Sequence, residues 1–78
     1  MNQPRILGQI QDAKEAYEFG HAAMQSKDWR DAIEAFETAG KDRQLRAAAN
    51  YWQAYAHYQV KQRAQARRLL ERLIERYP

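Results

Sequence analysis

The sequence predicts an all-α fold of four helices, arranged as two antiparallel helix–turn–helix pairs. Its composition is rich in Ala, Gln, Glu, Arg and Leu, which favour helix. Apolar residues recur at spacings of three and four, and no stretch shows the alternation of a β-strand. There are three glycines and two prolines, and both prolines lie near the ends of the chain. The 78 residues suffice for a single small domain over 1–78.

The first two helices are predicted from apolar spacing and from capping residues. The first covers 9–26, and a start as early as Pro4 is left open. The second runs from Trp29 to Ala39, with Asp28 as its N-cap, Asp31 as a capping-box acid and Gly40 as its C-cap.

The last two helices follow in the same way. The third is capped by Asp42 and runs to about Val60, and KQR forms the next turn. The fourth runs from Ala64 to Tyr77 and is stopped by Pro78. Short connections favour antiparallel neighbours.

The two halves of the chain repeat at one constant spacing, called here the repeat offset. The matching positions are Ala13 and Ala47, Tyr17 and Tyr51, Gly20 and Ala54, Ala32 and Ala66, and Phe36 and Leu70. Small residues stay small, which permits close helix approach, and apolar residues stay apolar. A helix pair alone buries little surface, so stacked pairs must form the core. A helix–turn–helix period of about 34 residues is typical of tetratricopeptide repeats.

The sequence therefore resembles the tetratricopeptide repeat (TPR) family, with repeat 1 at 13–46 and repeat 2 at 47–78. Residues 1–12 form an N-terminal extension or the start of the first helix. Strings in this chain, YWQAYAHYQV and LLERLIERYP, are similar to repeats of bacterial envelope and multi-repeat scaffold proteins. The resemblance implies a short right-handed α-solenoid. The residues that it places in the repeat core are Phe19, Gly20, Trp29, Ala32, Ile33, Phe36, Ala39, Trp52, Ala54, Ala66, Leu70, Leu73 and Ile74.

Some positions depart from the family pattern. Lys27 and Lys61 stand where glycine often precedes the turn acid. Gln53 stands where an aromatic residue or Leu usually precedes the small residue. Arg63 stands where an aromatic residue is typical, and Leu73 where Ala is typical.

The resemblance implies a non-enzymatic scaffold that binds a peptide or a partner helix in the concave face formed by the first helix of each pair. The inner-face positions are Lys14, Tyr17, His21, Met24, Gln25, Ala48, Tyr51, Tyr55, Tyr58 and Gln59. Tyrosine suits such a groove because its ring supplies apolar area and its hydroxyl can bond a ligand. For Tyr51 and Tyr58 a place in the core is the favoured alternative, whereas Tyr17 and Tyr55 are expected in the groove.

Other kinds of site lack the residues that they need. Cysteine is absent, which excludes disulfides and thiolate metal sites. His21 and His57 have no third ligand at a supporting spacing, so no metal or cofactor is expected. His21 and Trp52 occupy the asparagine positions of the family's carboxylate-gripping subclass, which argues against that function. The sequence has no set of nucleophile, base and acid residues and no glycine-rich phosphate-binding loop, so no enzyme activity is expected.

Charge is divided unequally between the halves. Residues 1–40 carry four basic and seven acidic residues, a net charge of −3, and residues 41–78 carry nine and three, a net charge of +6. The basic helix carries Arg63, Arg67, Arg68, Arg72 and Arg76.

Three interpretations of this charge stay open. The arginines can form a solvated face with pairs such as Arg67–Glu71 and Arg72–Glu75. They can meet the acidic second helix within a chain or across a homodimer. Nucleic-acid binding is a distant third, because acids interleave with the arginines. No apolar run is long enough to span a membrane. No signal peptide is evident, and the compartment is left open between the cytoplasm and the bacterial periplasm.

Overall fold

The computed structural model describes residues 12–77, and it confirms the all-α fold. Those residues form four helices and no strand. The helices are α1 (Ala13–Gln25), α2 (Trp29–Ala39), α3 (Arg46–Gln59) and α4 (Arg63–Arg76). The predicted bounds of α2 agree with the structure, and the other described ends differ by one or a few residues. The predicted start of the first helix before residue 12 and the stop at Pro78 lie outside the described residues.

The predicted capping role of Asp28 is wrong in its chemistry. Asp28 occupies the N-cap position of α2, but its carboxylate accepts no capping hydrogen bond. Its backbone N–H instead donates to the Ala23 carbonyl oxygen at 2.8 Å, closing the turn after α1. This turn holds Asp28 at φ −87° and ψ 73°, away from the extended conformation usual for a cap.

The predicted N-cap of α3 is also wrong. Asp42 accepts a hydrogen bond from the Gln44 backbone N–H at 2.8 Å, so its side chain closes a local turn. The helix begins only at Arg46, after Leu45 at its N-cap position. Asp42 therefore lies too far upstream to reach the free N–H groups of the first helical turn.

The turns inside the two helix pairs have the same conformation. Lys27 and Lys61, which occupy matching positions of the two repeats, have φ values of 62° and 67°. The residue after each donates its N–H back to the third-last residue of the helix, at 2.8 Å in both turns. This left-handed ending is usually occupied by glycine, because side chains with a Cβ are strained there.

We expect Lys61→Gly to raise the free energy of unfolding by about 0.5–1 kcal/mol, since relief of strain exceeds the added freedom of the unfolded chain. Lys27→Gly should act in the same direction. Urea unfolding followed by circular dichroism measures both effects. The control is Lys41→Gly, at a turn residue without positive φ, and it should not stabilise. Equal responses at Lys61 and Lys41 would contradict the strain argument.

Consecutive helices pack against each other in the order α1–α2, α2–α3 and α3–α4. Their contacts are made largely by alanine, which lets the helix axes approach closely. Phe36 is the largest fully buried side chain among the described residues. The buried residues of this core cluster are Ala16, Ala23, Ala32, Phe36, Ala39, Ala49 and Ala56.

Gly20 has a steric role within the first pair. A Cβ built on Gly20 would lie 2.8 Å from two atoms of the Phe36 ring, closer than carbon atoms tolerate. The second pair has Ala54 and Leu70 at these positions. The first pair therefore combines a glycine with the large ring of Phe36. The second pair has the methyl group of Ala54 and the smaller side chain of Leu70 at the same two positions.

Candidate interaction surface

Two predicted groove residues of the first repeat, Tyr17 and His21, belong to an aromatic cluster with residues of α2 and α3. The rings of Tyr17 and His21 lie edge to face with centroids 4.7 Å apart, and both meet Phe36, at 5.6 and 5.2 Å. His21 also contacts Trp52 of α3 at 5.2 Å. This aromatic cluster joins the two repeats, so Tyr17 and His21 are half-buried.

The tyrosines of the second repeat have a different environment. Tyr51, Tyr55 and Tyr58 are exposed by 48, 41 and 54%. The favoured core placement of Tyr51 and Tyr58 is therefore wrong, because no described helix covers this side of α3. A groove of about 290 Å³ lies between α3 and α4, called here the α3/α4 groove. Its lining residues are Tyr51, Ala54, Tyr55, Tyr58, Ala66 and Leu70.

Two residues predicted in the repeat core are also at the surface. Leu70 is 39% exposed and Ile74 is 69% exposed. Phe36, the counterpart of Leu70, is fully buried because α3 follows it, whereas no described helix follows α4. Of the other predicted core residues, some are buried, namely Gly20, Ala32, Phe36, Ala39, Ala54 and Ala66. The half-buried ones are Phe19, Trp29, Ile33, Trp52 and Leu73.

The remaining predicted groove residues vary in exposure. Lys14 and Gln25 are exposed, and Gln59 is half-buried. Met24 packs against the core cluster. These side chains do not line the α3/α4 groove.

The surface of the first repeat that α3 covers corresponds to the surface of the second repeat that no described helix covers. Helix α3 docks on the surface formed by α1 and α2. Its Ala49 and Ala56 lie in the buried core cluster, and its Trp52 contacts His21. Its Tyr55 lies against Trp29, with ring centroids 6.1 Å apart. The repeat offset maps this covered surface onto the α3/α4 groove. The groove therefore has the architecture of a helix seat, with alanines at its base and larger apolar residues beside them.

A tetratricopeptide repeat model matches residues 23–78. The chain belongs to the tetratricopeptide repeat family. Members of this family generally act as non-enzymatic scaffolds for protein–protein interaction. Neither a search of curated proteins nor a search of solved structures finds a significant match to this TPR chain.

The histidines of the TPR chain have separate packing partners. His21 belongs to the aromatic cluster, and His57 is buried with its Nδ1 2.6 Å from Oε1 of Gln62. Within residues 12–77, no group of three or more potential ligands could hold a metal ion. The His57–Gln62 contact joins the end of α3 to the start of α4 and so helps to fix the groove.

The arginines of α4 are directed to neutral partners or to solvent. The guanidinium of Arg63 lies 5.5 Å from the centre of the Tyr58 ring, and Arg68 donates to Gln65 Oε1 at 3.0 Å. In residues 12–77, the predicted ion pairs Arg67–Glu71 and Arg72–Glu75 are not formed. Exposed pairs contribute little because ordering two long side chains costs entropy. The basic charge of α4 is thus open to a partner.

No helix within residues 12–77 has both the length and the apolar character required to cross a lipid bilayer.

Proposed function

We propose that the chain is a protein-interaction module that binds a helix of a partner protein in the α3/α4 groove. The observation that carries the proposal is the correspondence between this groove and the surface of α1 and α2 on which α3 docks. The first repeat already binds a helix with this geometry inside the chain. The second repeat presents the equivalent surface uncovered among the described residues.

The chemistry of the groove supports helix binding. Ala54 and Ala66 are buried at its base, so a partner helix can approach closely. Tyr51, Tyr55 and Tyr58 offer apolar rings with few rotatable bonds and hydroxyl groups at the rim. Amphipathic helices commonly bind in such grooves through apolar anchors spaced three and four residues apart.

The proposed binding surface covers only part of the concave face that the sequence predicts. Tyr51, Tyr55 and Tyr58 line the groove, whereas Tyr17 and His21 are engaged with α2 and α3. An extended peptide along the whole inner face would need Tyr17 and His21 to leave those contacts. A helix in the α3/α4 groove leaves the aromatic cluster intact.

A homodimer is the second candidate, because a second copy could also cover the exposed apolar residues of the groove. The opposite charges of the two halves favour a head-to-tail arrangement. Light scattering across protein concentration and salt tests this candidate directly. A monomer under all conditions would count against it.

A peptide made from α3 tests the proposal. The probe is a peptide of residues 46–59. A hydrocarbon staple that replaces Ala54 and Tyr58 holds it helical. In the chain these two residues line the α3/α4 groove, so the staple leaves free the face of α3 that docks on the first repeat. We expect the full chain to bind this labelled peptide in fluorescence anisotropy. Leu70→Ser should weaken binding about tenfold or more, since it removes a central apolar contact of roughly 1.5–3 kcal/mol.

The matched control is Tyr77→Ser. Tyr77 is also an exposed apolar residue of the second repeat, but it lines a separate cleft beside Arg46 and Arg72. Its substitution should leave peptide binding unchanged. Equal losses from both variants, or no binding by the unaltered chain, would contradict a helix seat in the groove.

A further inference from the structure

The α3/α4 groove differs from its counterpart on the first repeat at two edge positions. The repeat offset places Arg63 where α2 has Trp29, and Arg67 where it has Ile33. Trp29 and Ile33 both pack against the apolar core cluster. Two apolar positions of a working helix seat are therefore cationic in the uncovered one.

Arg63 and Arg67 lie on the groove side of α4. They are one helical turn apart, and Leu70 follows Arg67 by three positions, so these side chains share one face of the helix. Arg63 rests on Tyr58, which lines the groove. Within residues 12–77 neither arginine is paired with a carboxylate. A helix that enters the groove will meet both charges along one edge.

The contacts of α3 show which part of an entering helix meets Arg63. In the first repeat, Trp29 contacts Tyr55 of α3. A helix docked in the same register on the second repeat therefore places its Tyr55-equivalent residue beside Arg63. A carboxylate at that position would pair with the guanidinium, whereas a cation there would be repelled.

We propose that the partner helix is acidic and amphipathic, with a carboxylate at the position equivalent to Tyr55. It also carries small residues at the positions equivalent to Ala49 and Ala56 and a large apolar residue at that of Trp52. This inference rests on the proposed function and specifies the chemistry of its partner. The net charge of +6 on residues 41–78 favours the same sign of partner over a longer range.

A second copy of this chain fits the groove less well. The counterparts of Ala49 and Trp52 in the first repeat are Glu15 and Glu18 of α1. A head-to-tail stack would place these carboxylates at the apolar base of the groove, where desolvation is costly. A face-to-face pair would bring the basic helices of two copies together. A second copy is therefore a poorer occupant of the groove than an acidic amphipathic helix of another protein.

The test compares three versions of the stapled peptide at low salt, with Tyr55 kept, with Tyr55→Glu and with Tyr55→Lys. We expect the Glu peptide to bind about two- to fivefold more tightly than the Lys peptide, which is within the range of an exposed charge contact. Arg63→Gln in the protein should reduce this preference, and the part that remains comes from Arg67 and the net positive charge of residues 41–78. Arg68→Gln is the control, because Arg68 bonds Gln65 and, two positions before Leu70, lies on a different face of α4.

The outcomes separate this inference from the proposed function. Equal binding of all three peptides, with loss in Leu70→Ser, would retain the helix seat and overturn the acidic partner. A preference that Arg63→Gln reduces no more than Arg68→Gln does would also overturn it, since the contact at the Tyr55-equivalent position would then not involve Arg63. Binding by none of the peptides would overturn the seat itself. Dimer formation blocked by Leu70→Ser would show that a second copy is the occupant, against this proposal.

Discussion

Replacing Phe36 by alanine is expected to unfold most of the molecule at room temperature. Phe36 is fully buried and contacts the rings of Tyr17 and His21. Removing a buried phenylalanine typically lowers the free energy of unfolding by about 3–5 kcal/mol. A domain of this size has little stability to spare. Circular dichroism and urea unfolding measure the loss.

Tyr58→Ala is the matched control for this variant. It removes an aromatic ring of similar size from a surface position of the groove. We expect it to change stability by less than about 1 kcal/mol. If Phe36→Ala were no more destabilising than Tyr58→Ala, the assignment of the core to the contact between the repeats would be wrong.

The second large effect is expected at Gly20. A methyl group there would overlap the Phe36 ring, and such overpacking costs about 1–3 kcal/mol. Alanine gains about 1 kcal/mol in helix propensity over glycine, which offsets part of this cost. We therefore expect Gly20→Ala to lower the free energy of unfolding by up to about 2 kcal/mol in urea unfolding.

A double variant tests the steric cause. Phe36→Leu combined with Gly20→Ala reproduces the pairing of Leu70 with Ala54 in the second repeat. The two changes together should cost at least about 1 kcal/mol less than the sum of their separate costs. Gly40→Ala is the control, because a Cβ there lies no closer than 3.3 Å to its neighbours. Additive losses would contradict a direct clash between positions 20 and 36.

The helices can be predicted from the sequence because their apolar spacing is regular. The span Trp29–Ala39 is predicted with its observed bounds, since Asp28 and Gly40 mark its ends. The capping chemistry is not predictable from residue type alone. The carboxylates of Asp28 and Asp42 have backbone surroundings set by the preceding turns, and these are not encoded by a capping pattern.

Burial in the second repeat can be predicted only in part. Two copies in register suggest that Leu70 is as buried as Phe36, but burial depends on what covers each position. Helix α3 covers Phe36, and no described helix covers Leu70, Tyr51 or Tyr58. The groove therefore depends on how the helices stack and not on the residues of the second repeat alone. The tyrosines of α3 are its local signal in the sequence. The basic edge is recognised only by comparing Arg63 with Trp29, its counterpart in the first repeat.

The most direct measurement for the helix seat is amide chemical-shift mapping of the full chain with the stapled peptide of residues 46–59. We expect the largest shifts in residues 51–58 of α3 and 63–70 of α4, and we expect Leu70→Ser to abolish them. Shifts concentrated in residues 14–25 of α1 would contradict it, because they would place the partner on the predicted concave face of the first repeat instead of the α3/α4 groove.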